Sequence, residues 1–263
     1  MRRAGLTPDP WQQDVLASDA GRIIILCSRQ AGKSQVVAAL ALLTALVQVP
    51  AMVLILARSL RQSSELFRKV KLLYRALKRP HPAQRFLPRP VKELEAAELV
   101  GPDGQAVKET TLEMELANGS RIVSLPGNPD TLVGFSPDLV IIDEASRVPD
   151  TLYKAVRPML AATHGRLVLL STPYGRRGFF YEEWEGRTAE GRPLARNWHK
   201  ISATALEIPR ISPAFLEEER ASLGERWYRQ EYLCSFEDVE DAVFRSEDIE
   251  RAARPDVETW DVD

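Results

Sequence analysis

Ile23-Ile24-Ile25-Leu26-Cys27-Ser28-Arg29-Gln30-Ala31-Gly32-Lys33-Ser34 is an aliphatic run that breaks into a small polar turn and then enters the helix-like stretch Gln35-Val36-Val37-Ala38-Ala39-Leu40-Ala41-Leu42. A strand, a turn and a helix N-terminus in that order gather unpaired backbone N–H groups at one point, where the helix dipole adds partial positive charge. Polyphosphate binds readily at such a place. Gly32 lets the backbone approach the phosphates, Lys33 reaches the β- and γ-phosphates, and the Ser34 hydroxyl is suited to Mg²⁺, with Ser28, Arg29, Gln30 and Ala31 completing the loop. Cys27 stands where this phosphate-loop pattern usually opens with glycine.

A second aliphatic run, Asp138-Leu139-Val140-Ile141-Ile142, ends abruptly in Asp143-Glu144-Ala145. Uninterrupted aliphatic strands belong to parallel sheets covered on both faces. Side chains alternate along a strand, so Asp143 and Glu144 are expected to leave on opposite sides and do different work. Asp143 is expected to hold Mg²⁺, directly or through water, and Glu144 to polarise the attacking water. A solvated strand end is the bland alternative, but two acids after four aliphatics, with Lys33 upstream, favour catalysis. The Asp-Glu pair points to hydrolytic ATPases with an additional strand in the sheet rather than to GTPases or small-molecule kinases. A third run, Arg166-Leu167-Val168-Leu169-Leu170, ends in Ser171-Thr172-Pro173. Polar residues at the carboxyl end of such a strand face the ligand, which suits Thr172 to sensing the γ-phosphate or coupling its loss to motion. As a bare motif it equally describes a turn closed by Pro173.

Together these motifs resemble the ATPase half of the phage large terminase family, the motor subunit that pumps DNA into a procapsid. Pro10-Trp11-Gln12 is similar to that family's adenine-contacting element, and Ser28-Arg29-Gln30-Ala31-Gly32-Lys33-Ser34 to its variant phosphate loop. Asn118-Gly119-Ser120-Arg121-Ile122, Leu125-Pro126-Gly127, Ile142-Asp143-Glu144-Ala145, Ser171-Thr172-Pro173-Tyr174-Gly175 and Arg229-Gln230-Glu231-Tyr232 follow in family order. The resemblance implies a P-loop NTPase fold of the additional-strand type, with ATP and Mg²⁺ as ligands. It implies adenine recognition by Gln12 beside Trp11, catalysis by Glu144 and Lys33, and coupling through Ser171, Thr172 and Pro173. Its implied partners are double-stranded DNA, further copies of the chain in a ring on a portal, and a small terminase subunit. A helicase-like or repair ATPase shares these parts but needs a second motor domain. A nucleotide-dependent binding module with little turnover is the alternative outside the enzymes.

Two departures stand out. Many family members carry Arg-Gly shortly before the acidic strand, the Arg serving as a finger on a neighbour's nucleotide, where this chain reads Thr131-Leu132-Val133-Gly134. A finger is worth about three to five orders of magnitude in rate, so a replacement is expected. Arg29 within the loop ranks first, ahead of Arg147 and Arg121. The full family protein also has a ribonuclease-H-like nuclease domain, for which 263 residues leave no room. Trp260-Asp261-Val262-Asp263 is either the start of that domain's leading strand or an acidic tail, so no nuclease activity is expected of this chain alone.

A 44% hydrophobic chain of 263 residues can bury a large core, and a net charge of −2 excludes a globally basic DNA coat. The charge is uneven. From Arg58 to Lys92 Glu65 is the only acid among many Lys and Arg residues, whereas a merely solvated helix face mixes signs. Arg68, Lys71 and Arg75 are therefore expected on a DNA-facing surface, with Leu66, Phe67, Val70, Leu73, Tyr74 and Leu77 on the buried face of the same helix. Two distant cysteines suggest neither a zinc site nor a disulfide. With no signal-peptide pattern, and an apolar maximum at Val36 to Val47 that falls short of about twenty residues, no membrane is expected and the host cytoplasm is the expected compartment. The pattern predicts strands at Arg22–Leu26 and Met52–Leu56, helices at about Lys33–Val47 and Gln62–Lys78, and a hairpin about Asn118-Gly119. Pro213 and Gly224 open two further helices. The expected division is an ATPase core over residues 1–211, then a helical lid or linker and acidic tail over 212–263.

Overall fold

The computed structural model describes residues 1, 5–77, 90–94, 99–100, 106–107, 112–132 and 134–238. Among these residues, ten strands occur in chain order: β1 (Arg22–Cys27), β2 (Met52–Ala57), β3 (Pro90–Leu94), β4 (Leu99–Val100), β5 (Ala106–Val107), β6 (Leu112–Leu116), β7 (Arg121–Pro126), β8 (Leu139–Asp143), β9 (Arg166–Ser171) and β10 (His199–Ala203). Seven α-helices accompany them: α1 (Pro10–Ala17), α2 (Lys33–Val47), α3 (Leu60–Leu77), α4 (Asp150–Thr163), α5 (Gly178–Glu185), α6 (Pro213–Leu223) and α7 (Glu225–Tyr232). The main sheet has the order β10-β1-β9-β8-β2-β7-β6-β3, while β4 and β5 pair separately. β10 through β7 run parallel, and β6 and β3 extend the sheet by antiparallel pairing.

The aliphatic runs are continuous because both faces are covered. Ile23, Ile25, Val53, Ile55, Leu139 and Ile141 pack toward α1, α2 and α3. Ile24, Leu26, Leu54, Leu56, Val140 and Ile142 pack toward α4 and α5. Each such fully buried side chain contributes about 1.5–3 kcal/mol relative to exposure. Alternation therefore selects the face, and the strand order selects what meets at the sheet's carboxyl edge. β9 lies between the phosphate-loop strand β1 and the acidic strand β8, as the Asp-Glu pair led us to expect of an additional-strand ATPase fold.

The predicted elements lie within a few residues of those observed, including the β6–β7 hairpin, where Gly119 has φ 80°. Ser212 caps α6 by accepting from the Phe215 amide at 3.2 Å, with Pro213 in the first turn. α6 and α7 share a small apolar cluster of Leu216, Tyr228 and Tyr232 with Ala205. Among the described residues no helix is long and apolar enough to cross a membrane.

Candidate nucleotide site

β1 delivers the loop 28–32 to the carboxyl edge of the sheet. Gln30 at φ 57° and Gly32 at φ 92° bend it back onto α2. Gly32 is required twice over: a Cβ there would lie 2.7 Å from Gln12 Nε2, and the left-handed backbone disfavours any other residue. The Ser28 amide donates to the Ala203 carbonyl at 2.9 Å and the Arg29 amide to the Glu231 carbonyl at 2.8 Å. Lys33 Nζ donates back across the loop to the Ser28 carbonyl at 3.3 Å, while Ser34 occupies the first turn of α2, half-buried.

α1 is strapped to this loop. Gln12 is buried, accepting from the Asp9 amide at 3.1 Å and donating to the Gly32 carbonyl at 3.3 Å. Trp11 beside it is also buried, and its indole N–H finds no partner among the described residues. Arg210 makes a bidentate pair with Asp9, both contacts at 2.8 Å, and donates to the Ala31 carbonyl at 3.2 Å. Nothing local marked Arg210 in the sequence, since its partners are about 180 to 200 positions away.

The acidic pair differs from the strand expectation. β8 ends at Asp143, which continues the Leu139 and Ile141 row on the α2 face. Glu144 lies beyond the strand at φ 55°, ψ 39°, and its amide donates to Asp143 Oδ1 at 3.0 Å. A left-handed turn, rather than strand alternation, thus separates the two carboxylates. Burial first, then the neighbouring Glu144 charge, pushes the Asp143 carboxyl up to about 6, while Lys33 and the Glu144 amide oppose the shift. A dry carboxylate whose second oxygen has no hydrogen-bond partner among the described residues, on the α2 side of the sheet, fits a divalent cation.

The turn after Glu144 contacts β9 and the chain's later helices. Ser146 Oγ lies 2.7 Å from Ser171 Oγ and donates to the Thr172 carbonyl at 2.8 Å, tying the acidic turn to the end of β9. Arg147 stacks 4.1 Å over the Tyr174 ring, with Nε 3.9 Å from Glu144 and Nη2 3.6 Å from Glu231. Glu231, buried on α7, also lies 3.7 Å from Arg29. The acidic turn and the phosphate loop are therefore joined through one carboxylate on α7. Sequence reasoning passed over Ser146 and quoted Glu231 only within a motif, because their significance lies in partners far along the chain.

Of the arginine candidates, Arg29 projects its side chain, 66% exposed, toward Glu231, and Arg147 stands beside Glu144. Arg121 opens β7 at the opposite edge of the sheet, paired with Glu113. Val133 and Trp260 to Asp263 lie outside the described residues. On α3, Arg68 and Arg75 are exposed, whereas Lys71 is 7% exposed with its ammonium 5.5 Å from the Phe67 ring centre. The helical spacing that put Lys71 on the open face overlooked the sheltering of its stem against Phe67.

Residues 24–251 match the family model for the terminase large subunit, T4likevirus-type, N-terminal. The chain belongs to that terminase family. It is 32% identical over 136 residues to the terminase large subunit of Escherichia phage T5, covering 50% of this chain and 30% of the T5 protein. The Thermus phage G20c large subunit is 29% identical over 132 residues, covering 46% of this chain and 27% of that one. The terminase chain thus matches less than a third of the length of these relatives. Its fold is similar to the Thermus phage P74-26 large terminase ATPase domain, with a TM-score of 0.66 at 22% identity, covering 89% of this chain and 96% of that one. The large terminase from a thermophilic bacteriophage, in complex with ADP, aligns with a TM-score of 0.63 at 16% identity, covering 87% of this chain and 53% of that one.

Proposed function

We propose that this terminase chain hydrolyses ATP with Mg²⁺ and couples the hydrolysis to movement of double-stranded DNA into a procapsid. The observation that carries this reading is the convergence of Lys33, Asp143 and Glu144 at one sheet edge, close enough for both other charges to act on the buried Asp143 carboxyl. In this reading Lys33 exchanges the Ser28 carbonyl for the β- and γ-phosphates. Ser34 and Asp143 hold the cation, which when bound offsets phosphate charge. Glu144 orients the attacking water, and Gln12, with Trp11 packed beside it, reads adenine through the hydrogen-bonding capacity that Asp9 and Gly32 leave free. Arg29 and Arg147 are the cations available to developing phosphoryl charge, with Glu231 as the residue that positions both. Ser171, Thr172 and Pro173 receive the state of the acidic turn through Ser146. Residues 212 onward act as the lid or linker, Arg68 and Arg75 contribute to the DNA-facing surface, and the working form is a ring of copies on a portal in the host cytoplasm, with a small subunit as a further partner.

The test is ATP turnover and nucleotide binding measured side by side. Glu144→Gln should bind nucleotide like the parent and lose about 10²–10⁴-fold in kcat, the span of a general base. Lys33→Ala should lose binding. Parental turnover by Glu144→Gln defeats the assignment.

A further inference from the structure

On the face opposite α3, a groove of about 760 Å³ runs between α4 and the amino ends of β1 and β9. Lys154 and Arg157 line it from α4, His164 from the turn just after that helix, and Arg22, the one exposed residue of β1, from the other side. Lys154 and Arg157 lie three positions apart on α4, so they share one face, about 4.5 Å apart along the axis at 1.5 Å per residue. Among the described residues Arg22, Lys154 and Arg157 have no carboxylate within ion-pair distance. Glu183 nearby is already engaged by Arg196, Tyr153 and Trp198. Arg157 and Arg22 lie near enough to Arg196 to help depress its pKa, after burial itself. Three uncompensated cations around one groove repel one another until an anion enters.

We infer that this groove is a seat for the phosphodiester backbone of nucleic acid, held by Arg22, Lys154 and Arg157. The inference rests on the DNA-moving reading for its biological sense, but the groove's chemistry stands without it. Three cations contributed by two separate elements suit a polyanion with repeated charges better than a single phosphate. A protein partner would want an apolar anchor or an open strand edge. Among the described residues the exposed large apolar side chains are Leu43, Val47, Val49, Leu72, Leu206, Leu223 and Trp227, and none lines the groove. β1 and β9 are paired on both sides, so neither offers an edge. The apolar lining, Tyr153 and Leu167 among it, is largely buried beneath exposed cations on long stems, Arg157 lying 5.9 Å over the Tyr153 ring, and exposed cations are what sequence-independent phosphate contact requires.

The test is equilibrium binding of a labelled DNA duplex to the full chain without nucleotide, across a salt series. Arg22→Gln, Lys154→Gln and Arg157→Gln together should weaken binding at least tenfold and flatten the logarithmic salt dependence by about two to three units, near 0.9 per lost phosphate contact. In the parent, duplex should protect Lys154 from acetylation, a readout that needs no folded variant. Unchanged affinity and slope in the triple variant, or unprotected Lys154, overturns the inference. Binding of a polyglutamate peptide that is lost in the variant while duplex binding persists assigns the groove to an acidic protein and equally overturns it. Because ATP turnover is not measured here, failure of this surface and failure of the ATPase reading separate cleanly: Glu144→Gln should bind duplex like the parent.

Discussion

Glu231 is a buried carboxylate with a guanidinium on each side, Arg29 from the phosphate loop and Arg147 from the turn that carries Glu144. At 3.6 and 3.7 Å these are ion pairs rather than hydrogen bonds, and solvent around the exposed Arg29 holds that pair to about 1 kcal/mol or less. If that energy serves to aim the two arginines, Glu231→Gln should lower kcat for ATP about 10- to 100-fold with little change in KM, and Glu231→Asp should recover part of the loss. A lower melting temperature with parental kcat would make Glu231 purely structural. Asp143 offers a second test at this scale. Its folded pKa of about 6 lies above the ordinary 3.8, so its ionised form opposes folding, and the cost grows as pH rises from 3.8 through 6. Asp143→Asn should therefore melt like the parent near pH 4 and be more stable above pH 6, by on the order of 1–3 kcal/mol, in chelator. An equal difference at both pH values would remove burial as the cause. The roles of Lys33 and Asp143 were suggested by residue type and order alone. The turn at Glu144 was hidden, because strand alternation describes a strand and says nothing of the residue one step past its end.

α1 is held to the loop by its own Gln12 and by Arg210, which grips Asp9 at the head of α1 and the Ala31 carbonyl and so ties together elements nearly the whole core apart in sequence. Arg210→Ala leaves the buried Asp9 without its partner and the Ala31 carbonyl without a donor. The cost should be about 1–3 kcal/mol, below that of a fully buried pair because Arg210 is half-exposed. Nucleotide affinity should fall with it, since α1 then no longer braces the loop; a fluorescent-nucleotide titration showing parental affinity would confine Arg210 to stability. β1, α2, β2, α3 and the hairpin were legible because burial on one or two faces writes its period into the residues. α4, α5 and β10 were not anticipated. α4 carries Pro158 inside the helix, which argues locally against a helix, and β10 lies at the sheet's end with polar residues on its open positions.

Seen whole, the sheet divides the molecule into an α2–α3 side and an α4–α5 side, with basic side chains on the outer surface of each and the candidate nucleotide site at one edge between them. Order along the chain made the meeting of these residues at one edge legible, since each aliphatic run ends in residues assigned above to the proposed site. The groove was not, because Arg22 and the α4 cations meet only through the return of β9 to a place beside β1. That return has a mechanical meaning. With one strand inserted, the strand bearing the phosphate loop and the strand bearing the acids stand two spacings apart, about 10 Å. For the hydrolysis proposed above, β9 would then serve as a calliper: its width would set a cleft for a terminal phosphate and the attacking water, and its end, hydrogen-bonded to Ser146, would feel a change in that breadth.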